Sequence, residues 1–178
     1  MLDDYTQTRG GALVPAGLLL GGVFSGVVRR ADGTEEPFED RNLVVNEGLN
    51  RLLNATFNGA SLPTTWYLGL FAGNYTPSAT VTAANIASTA TEATEYVQNS
   101  RPEFITETTS SREVTNSAER AEFTFEAVKT IYGAFLVSDP SKGGTSGVLM
   151  AVTRFSSSKS VGIDDEILLT YTLSAASS

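Results

Sequence analysis

The stretch that decides the fold reads Asn42-Leu-Val-Val-Asn-Glu-Gly-Leu-Asn-Arg-Leu-Leu-Asn-Ala-Thr-Phe57, and Thr65-Trp-Tyr-Leu-Gly-Leu-Phe71 follows it closely. Within it, apolar residues recur at the spacing of one helical face, namely Leu49, Leu52, Leu53 and Phe57. The flanking apolar runs are short and lack that spacing. The pattern therefore predicts a strand, a helix near residues 46–57 and a second strand.

Both ends of this predicted helix carry residues that helix ends favour. Asn46 can accept an N–H of the first turn as the N-cap, and Glu47 adds negative charge at the positive end of the helix dipole. Asn58-Gly59 supplies a left-handed stop. A helix this short is not stable alone in water, so we expect it to pack across a sheet. The predicted core residues are Leu49, Leu53, Phe57, Trp66, Leu68, Leu70, Phe123, Phe125, Phe135 and Tyr171.

The rest of the chain is patterned as strands. Asp32-Gly33 lies between two extended segments, which is a strong hairpin signal, and the acidic second segment is predicted as an edge strand. In the C-terminal third, apolar and polar residues alternate along runs that short turns connect. We predict a mainly β protein, an antiparallel β-sandwich or barrel (jelly-roll-like or Ig-like), with one short α-helix and an extended N-terminal arm.

We expect residues 1–21 to form the arm and residues 22–178 to form one domain. The arm is apolar but has no clean period, and its glycines and Pro15 disfavour a regular helix. It could be a first strand with a loose leader, or an arm that lies on a neighbouring subunit. For the second case the predicted assembly contacts are Leu13, Val14, Leu18, Leu19 and Leu20. The long, weakly charged loop from Ala72 to Ala93 is expected to cover a face of the domain or to touch a partner.

Composition excludes several function classes. The 178 residues include 12 Lys+Arg and 20 Asp+Glu, a formal net charge of −8, which argues against nucleic-acid binding and against docking on an anionic membrane. Cys and His are absent, so there is no disulfide, no thiolate chemistry and no ordinary zinc site. The acidic N-terminus is unlike a signal peptide, and the apolar residues 10–26 are too short to span a bilayer. We expect a soluble protein.

Few residues qualify as chemical groups. A Ser–Lys pair would need Lys129, Lys142 or Lys159, which we expect to be solvated at turns. The acidic run Asp164–Glu166 could offer oxygen ligands to Ca²⁺ but lacks EF-hand spacing, so a solvated turn is favoured. The glycines from Gly143 to Gly147 lack the order of a phosphate loop and predict a hairpin turn. We predict no catalytic, cofactor or metal site, and Trp66 and Tyr67 as core or near-core residues rather than a ligand platform.

Several segments in this order carry a resemblance. They are the two quoted above together with Gly-Ala-Phe-Leu-Val-Ser138, Ser141-Lys-Gly-Gly-Thr-Ser-Gly-Val-Leu149 and Leu168-Leu-Thr-Tyr-Thr-Leu173. The chain resembles, over roughly Val23 to Leu173, a group of small structural proteins encoded by tailed bacteriophages. The resemblance implies a non-enzymatic virion protein, assembled in the host cytoplasm and present in the particle.

The resemblance also implies partners. The placement we expect is a capsid decoration or cement protein that bridges shell subunits, bound to the major capsid protein or to other virion proteins. A homo-oligomer, either dimer or trimer, is expected as well, with neither nucleic acid nor membrane as a partner. A tail, baseplate or fibre component is the alternative, and a carbohydrate-binding module or glycan hydrolase is less favoured.

Overall fold

Strands dominate the part of the chain that a computed structural model describes, which is residues 5–7, 13–15, 18–108 and 111–177. Only the backbone course is described for residues 5–7, 13–15 and 18. The elements, in chain order, are β1 (Tyr5–Gln7), β2 (Leu13–Pro15), β3 (Leu18–Arg29), β4 (Glu35–Arg41), β5 (Leu43–Val44), α1 (Asn46–Phe57), β6 (Tyr67–Phe71), α2 (Ala83–Thr89), β7 (Glu92–Ala93), β8 (Glu113–Thr115), β9 (Ala121–Thr124), β10 (Lys129–Val137), β11 (Leu149–Val161) and β12 (Glu166–Ser177).

Two antiparallel sheets form the body. One has the strand order β5-β11-β10-β6-β7, and the other has the order β4-β3-β12-β8, with β9 also paired to β12. The two sheets do not close into a barrel within the described residues. The predicted mainly β fold is therefore confirmed, and a sandwich describes it. In contrast to the single helix expected, the described residues contain two.

The predicted hairpin is the β3–β4 pair. Gly33 takes a φ of 85° in the turn, and the strands pair from Arg29 with Glu35 to Val23 with Arg41. Among the described strands β4 pairs with β3 alone, and it exposes Glu35, Glu36 and Glu39, so it is the edge strand that its sequence predicted. Charge along such an edge discourages pairing with a further chain.

The main core lies between the two sheets. Side chains from alternate positions of β6 and β12 meet there, because successive residues of a strand point to opposite faces. Six of the predicted core residues are fully buried, and they are Leu68, Leu70, Phe123, Phe125, Phe135 and Tyr171. Phe135 is the one of these that faces the other side of its sheet, in a second cluster.

That second cluster is covered by the long loop. Val81, Ala83, Ile86 and Ala90 are buried against the outward side chains of β6, β10 and β11. The loop from Ala72 to Ala93 thus covers a face of the domain, which was one of its two predicted roles. α2 is too short for a clear apolar period, since within its seven residues only Ala83 and Ile86 are buried.

β3 begins earlier than expected. Leu18, Leu19 and Leu20 pair with Ser177, Ala176 and Ala175 of β12. The sheet therefore extends into the last residues of the segment predicted as an arm. The side chains of Leu13, Val14 and Leu18 lie outside the described part of the structure, while Leu19 is exposed and Leu20 packs on the main core. Contact of these residues with another subunit remains a prediction.

Candidate functional site: the exposed face of the first helix

The first helix presents to the body a different face from the one its leucines predicted. Gly48 is its buried residue, and a Cβ there would lie 2.8 Å from Met150 Cα. Because glycine has no Cβ, the helix backbone approaches β11 closely at this point. Leu52, one turn later, packs against the main core. The contact therefore runs through Gly48 and Leu52.

The remaining large apolar side chains of the helix point to solvent. Leu49 is 36% exposed, Leu53 56% and Phe57 77%. We call these three residues the helix stripe. Their prediction as core was wrong, because the close contact at Gly48 turns the helix so that the row 49, 53 and 57 lies beside the buried row. Trp66, also predicted as core, is half-buried.

The charged residues of the helix are used within the protein. Glu47 Oε2 accepts the N–H groups of Ala83, at 2.8 Å, and Leu149, at 2.7 Å, and so joins α1 to the start of α2 and to β11. Arg51 donates to the Ser61 carbonyl. Val45, not Asn46, is the N-cap residue, and no side chain caps this end. The predicted stop is confirmed, since Gly59 has a φ of 68°.

A buried ion pair lies elsewhere, between Arg101 and Glu92. Both side chains are almost inaccessible, at 0% and 2% exposure, and the shorter of two parallel hydrogen bonds is 2.7 Å. The guanidinium also donates to the carbonyls of Asp139 and Gly144. The pair therefore fixes the β10–β11 connection to the segment after β7. No local pattern predicted this pair, because neither residue belongs to a motif or an alternating run.

Asp139 organises the β10–β11 turn, which was predicted as a hairpin turn. Its carboxylate accepts the N–H groups of Ser141 and Ser146 and the Ser146 hydroxyl. Burial by itself raises the pKa of the Asp139 carboxyl, but these hydrogen bonds to its charged form together lower the pKa below its usual value.

Asp165 occupies a similar position in the β11–β12 turn. It is buried and accepts from the N–H groups of Gly162 and Ala31 and from Arg30. Burial opposes its charge, yet these donors lower the pKa of its carboxyl. The prediction of a solvated acidic turn holds for exposed Asp164 and fails for Asp165.

Acid should therefore weaken the fold through these two carboxylates. A lowered folded-state pKa means that their stabilisation is complete above the unfolded-state value of about 3.9 and is lost as pH falls below it. We expect Asp165→Asn to lower the free energy of unfolding at neutral pH and to reduce its further loss on acidification. Denaturant titrations at a series of pH values measure both, with Asp164→Asn as control. An Asp165→Asn variant with wild-type stability at neutral pH would contradict this.

The three candidate lysines are engaged rather than free. Lys129 pairs with Glu95, and Lys159, expected at a solvated turn, is buried with its Nζ 2.8 Å from Glu36 Oε1. Lys142 Nζ donates to two backbone carbonyls and lies 3.9 Å from the centroid of the Tyr96 ring. Burial lowers the pKa of this lysine. Each of the three lysines therefore has a structural contact within the protein.

Within the described ranges, no group of three or more acidic residues could hold a metal ion, and no helix is both long and apolar enough to cross a membrane. No protein-family model matches the chain, and no curated protein shows significant similarity to it. The fold and these contacts define the class as an antiparallel β-sandwich whose most distinctive accessible feature is the helix stripe.

Proposed function

We propose that the protein is a non-enzymatic structural component of a tailed-bacteriophage virion, and that it decorates the capsid as a cement protein bridging shell subunits. The observation that carries the assembly role is the helix stripe. The virion placement is supported by the resemblance of the chain's segments to small phage structural proteins. The major capsid protein and further copies of the chain are the proposed partners.

The stripe suits burial against another protein. Fully burying a Leu or Phe side chain stabilises a complex by about 1.5–3 kcal/mol relative to leaving it in water. Glu47 does not oppose this burial, because its carboxylate already accepts two N–H groups of the protein.

A substitution in the stripe should separate assembly from folding. Phe57→Asp places a charge in the proposed contact, while at 77% exposure it changes little in the isolated protein. We expect thermal unfolding close to that of the wild type, because the site is on the surface and an acidic residue at the end of a helix costs only about 0.3–1 kcal/mol against the helix dipole. Binding to particles that lack the protein should be lost. Co-sedimentation of the variant with such particles measures this.

Val128→Asp is the matched control, because Val128 is an apolar residue with 76% exposure outside the helix. It should bind particles like the wild type. Phe57→Asp protein that decorates particles with unchanged affinity would remove the stripe from the proposed interface.

The particle itself tests the cement role. Particles that lack the protein should lose resistance to heat, and adding the purified protein should restore it. Immunogold labelling of intact virions should mark heads. Label on tails would instead support the alternative, a tail, baseplate or fibre component. The cement role would be refuted if particles that lack the protein melted and infected like wild-type particles.

A further inference from the structure

An apolar cavity of about 400 Å³ opens between the sheets next to the first helix. Its wall combines residues of both sheets, of α1 and of the segments around them, chiefly Leu52, Trp66, Phe104, Leu136, Met150 and Leu173. Leu62 and Ile105, also in the lining, are about half exposed. A cavity of about 150 Å³ lined by Leu, Ile and Phe binds benzene. This one also has threonines and Glu103 in its lining, but its volume has room for more than one aliphatic side chain.

The N-terminal segment leaves the body at the same end of β12. Leu18, the first residue of β3, pairs with Ser177, and Leu173 in the cavity wall pairs with Gly22. The Leu18–Ser177 pair and the Gly22–Leu173 pair are four residues apart, or about 13 Å along the strands. Val114, also in the wall, pairs with Leu173, which fixes the cavity at this level.

The segment before Leu18 has its own small sheet. β1 and β2 pair with each other and, in the part of the chain described, with no strand of the body. A two-stranded hairpin alone is marginal in water. β2 reads Leu13-Val-Pro15, and no residue from 10 to 28 is charged. The hairpin therefore needs an apolar surface to cover it.

To seat in the chain's own cavity, β2 would have to turn straight back along the body, and Pro15 could not reach it. A fully extended chain covers at most about 3.6 Å per residue, so Pro15 lies within about 11 Å and Val14 within about 14 Å of Leu18. The cavity is about 13 Å back along the strands, and reversing the chain consumes part of this length. The length of chain between β2 and Leu18 sets no such limit on reaching the cavity of a second copy.

We propose that Leu13–Pro15 of one copy seats in this cavity of a second copy, so that the N-terminal segment links subunits. Two copies of net charge −8 repel one another overall, so a contact between copies is least opposed where uncharged surfaces meet. The segment around β2 is uncharged, and the lining contains one carboxylate, that of Glu103. The proposal rests on the assembly role proposed above and names the partner as a second copy.

Because the chain contains no cysteine, pairs of introduced cysteines can trap this contact. Val14→Cys is made in one full-length chain and Ile105→Cys or Leu62→Cys in another, with different tags. The two proteins are mixed and oxidised. We expect a disulfide-linked mixed dimer at a yield about ten-fold above the control, because seating raises the effective concentration of the thiols. Ile163→Cys is the control, since Ile163 is 60% exposed before the opposite end of β12.

Two results would overturn the proposal. If the disulfide of a Val14→Cys/Ile105→Cys double variant formed only within one chain, without mixed dimers, the segment would lie in its own cavity. Mixed dimers no more abundant than with Ile163→Cys would show that the segment does not enter the cavity at all.

The single tryptophan gives a second readout that needs no crosslink. Trp66 lies in the cavity wall, so a Leu13→Asp/Val14→Asp variant of the full chain should shift its fluorescence to the red. Val128→Asp should not. No shift at concentrations where the wild type is oligomeric counts against the proposal. Failure of the crosslinking and fluorescence tests would refute the contact through the cavity but not the proposed binding to particles. A protein that is absent from particles and still forms the linked dimer would refute only the virion role.

Discussion

Replacing Arg101 by methionine should destabilise the protein by about 3–5 kcal/mol, because it leaves a buried carboxylate without its counter-charge. Glu92 would keep only the N–H of Gly143, 2.9 Å from its Oε2. The carbonyls of Asp139 and Gly144 would lose a donor as well. Denaturant unfolding of the variant, compared with the wild type, measures the loss.

The double variant Arg101→Met/Glu92→Met is the control. Removing both charges avoids the uncompensated carboxylate, and such replacements are often neutral or stabilising when the new side chains pack well. We expect the double variant to be more stable than Arg101→Met alone. A double variant as unstable as the sum of the two single ones would mean that the pair is not coupled, in conflict with the 2.7 Å contact.

Phe135→Ala should cost about 3–5 kcal/mol, the usual range for deleting a buried aromatic ring. The ring packs over Gly69 of the neighbouring strand, where a Cβ would come within 2.2 Å of it. It also lies 5.3 Å below the Arg101 guanidinium. No neighbouring backbone can move far enough to fill the space, since β10 is central in its sheet.

Phe57→Ala is the matched control, because it deletes the same ring at 77% exposure. It should change the free energy of unfolding by less than about 0.5 kcal/mol, and Leu53→Ala should behave likewise. Equal losses for Phe135→Ala and Phe57→Ala would show that the first helix is covered in the isolated protein. The contrast therefore tests the orientation of α1 without any partner.

Local signals were enough to predict much of the architecture. Asp32-Gly33 and its flanking segments specify a hairpin whatever surrounds them, because the turn geometry depends on adjacent residues. The bounds of α1 follow in the same way from apolar spacing and from Gly59. Alternation along β9 and β12 identified buried side chains such as Phe123 and Tyr171, and the apolar run of β6 identified Leu68.

The candidate site could not be predicted, because it depends on contacts between distant residues. Apolar spacing shows that α1 has an apolar side, but which row faces the body was decided by the close approach of Gly48 to Met150. Arg101 meets Glu92 because the segment after β7 folds back on it, and the distant β10–β11 turn adds the carbonyls of Asp139 and Gly144. The sequence by itself determined most of the long strands, the hairpin turns and the bounds of the first helix, since these are local. It did not predict the short strands β7 and β8 or the early start of β3. The tertiary structure alone decided that Leu49, Leu53 and Phe57 remain exposed, because one face of a short helix suffices to hold it on the sheet.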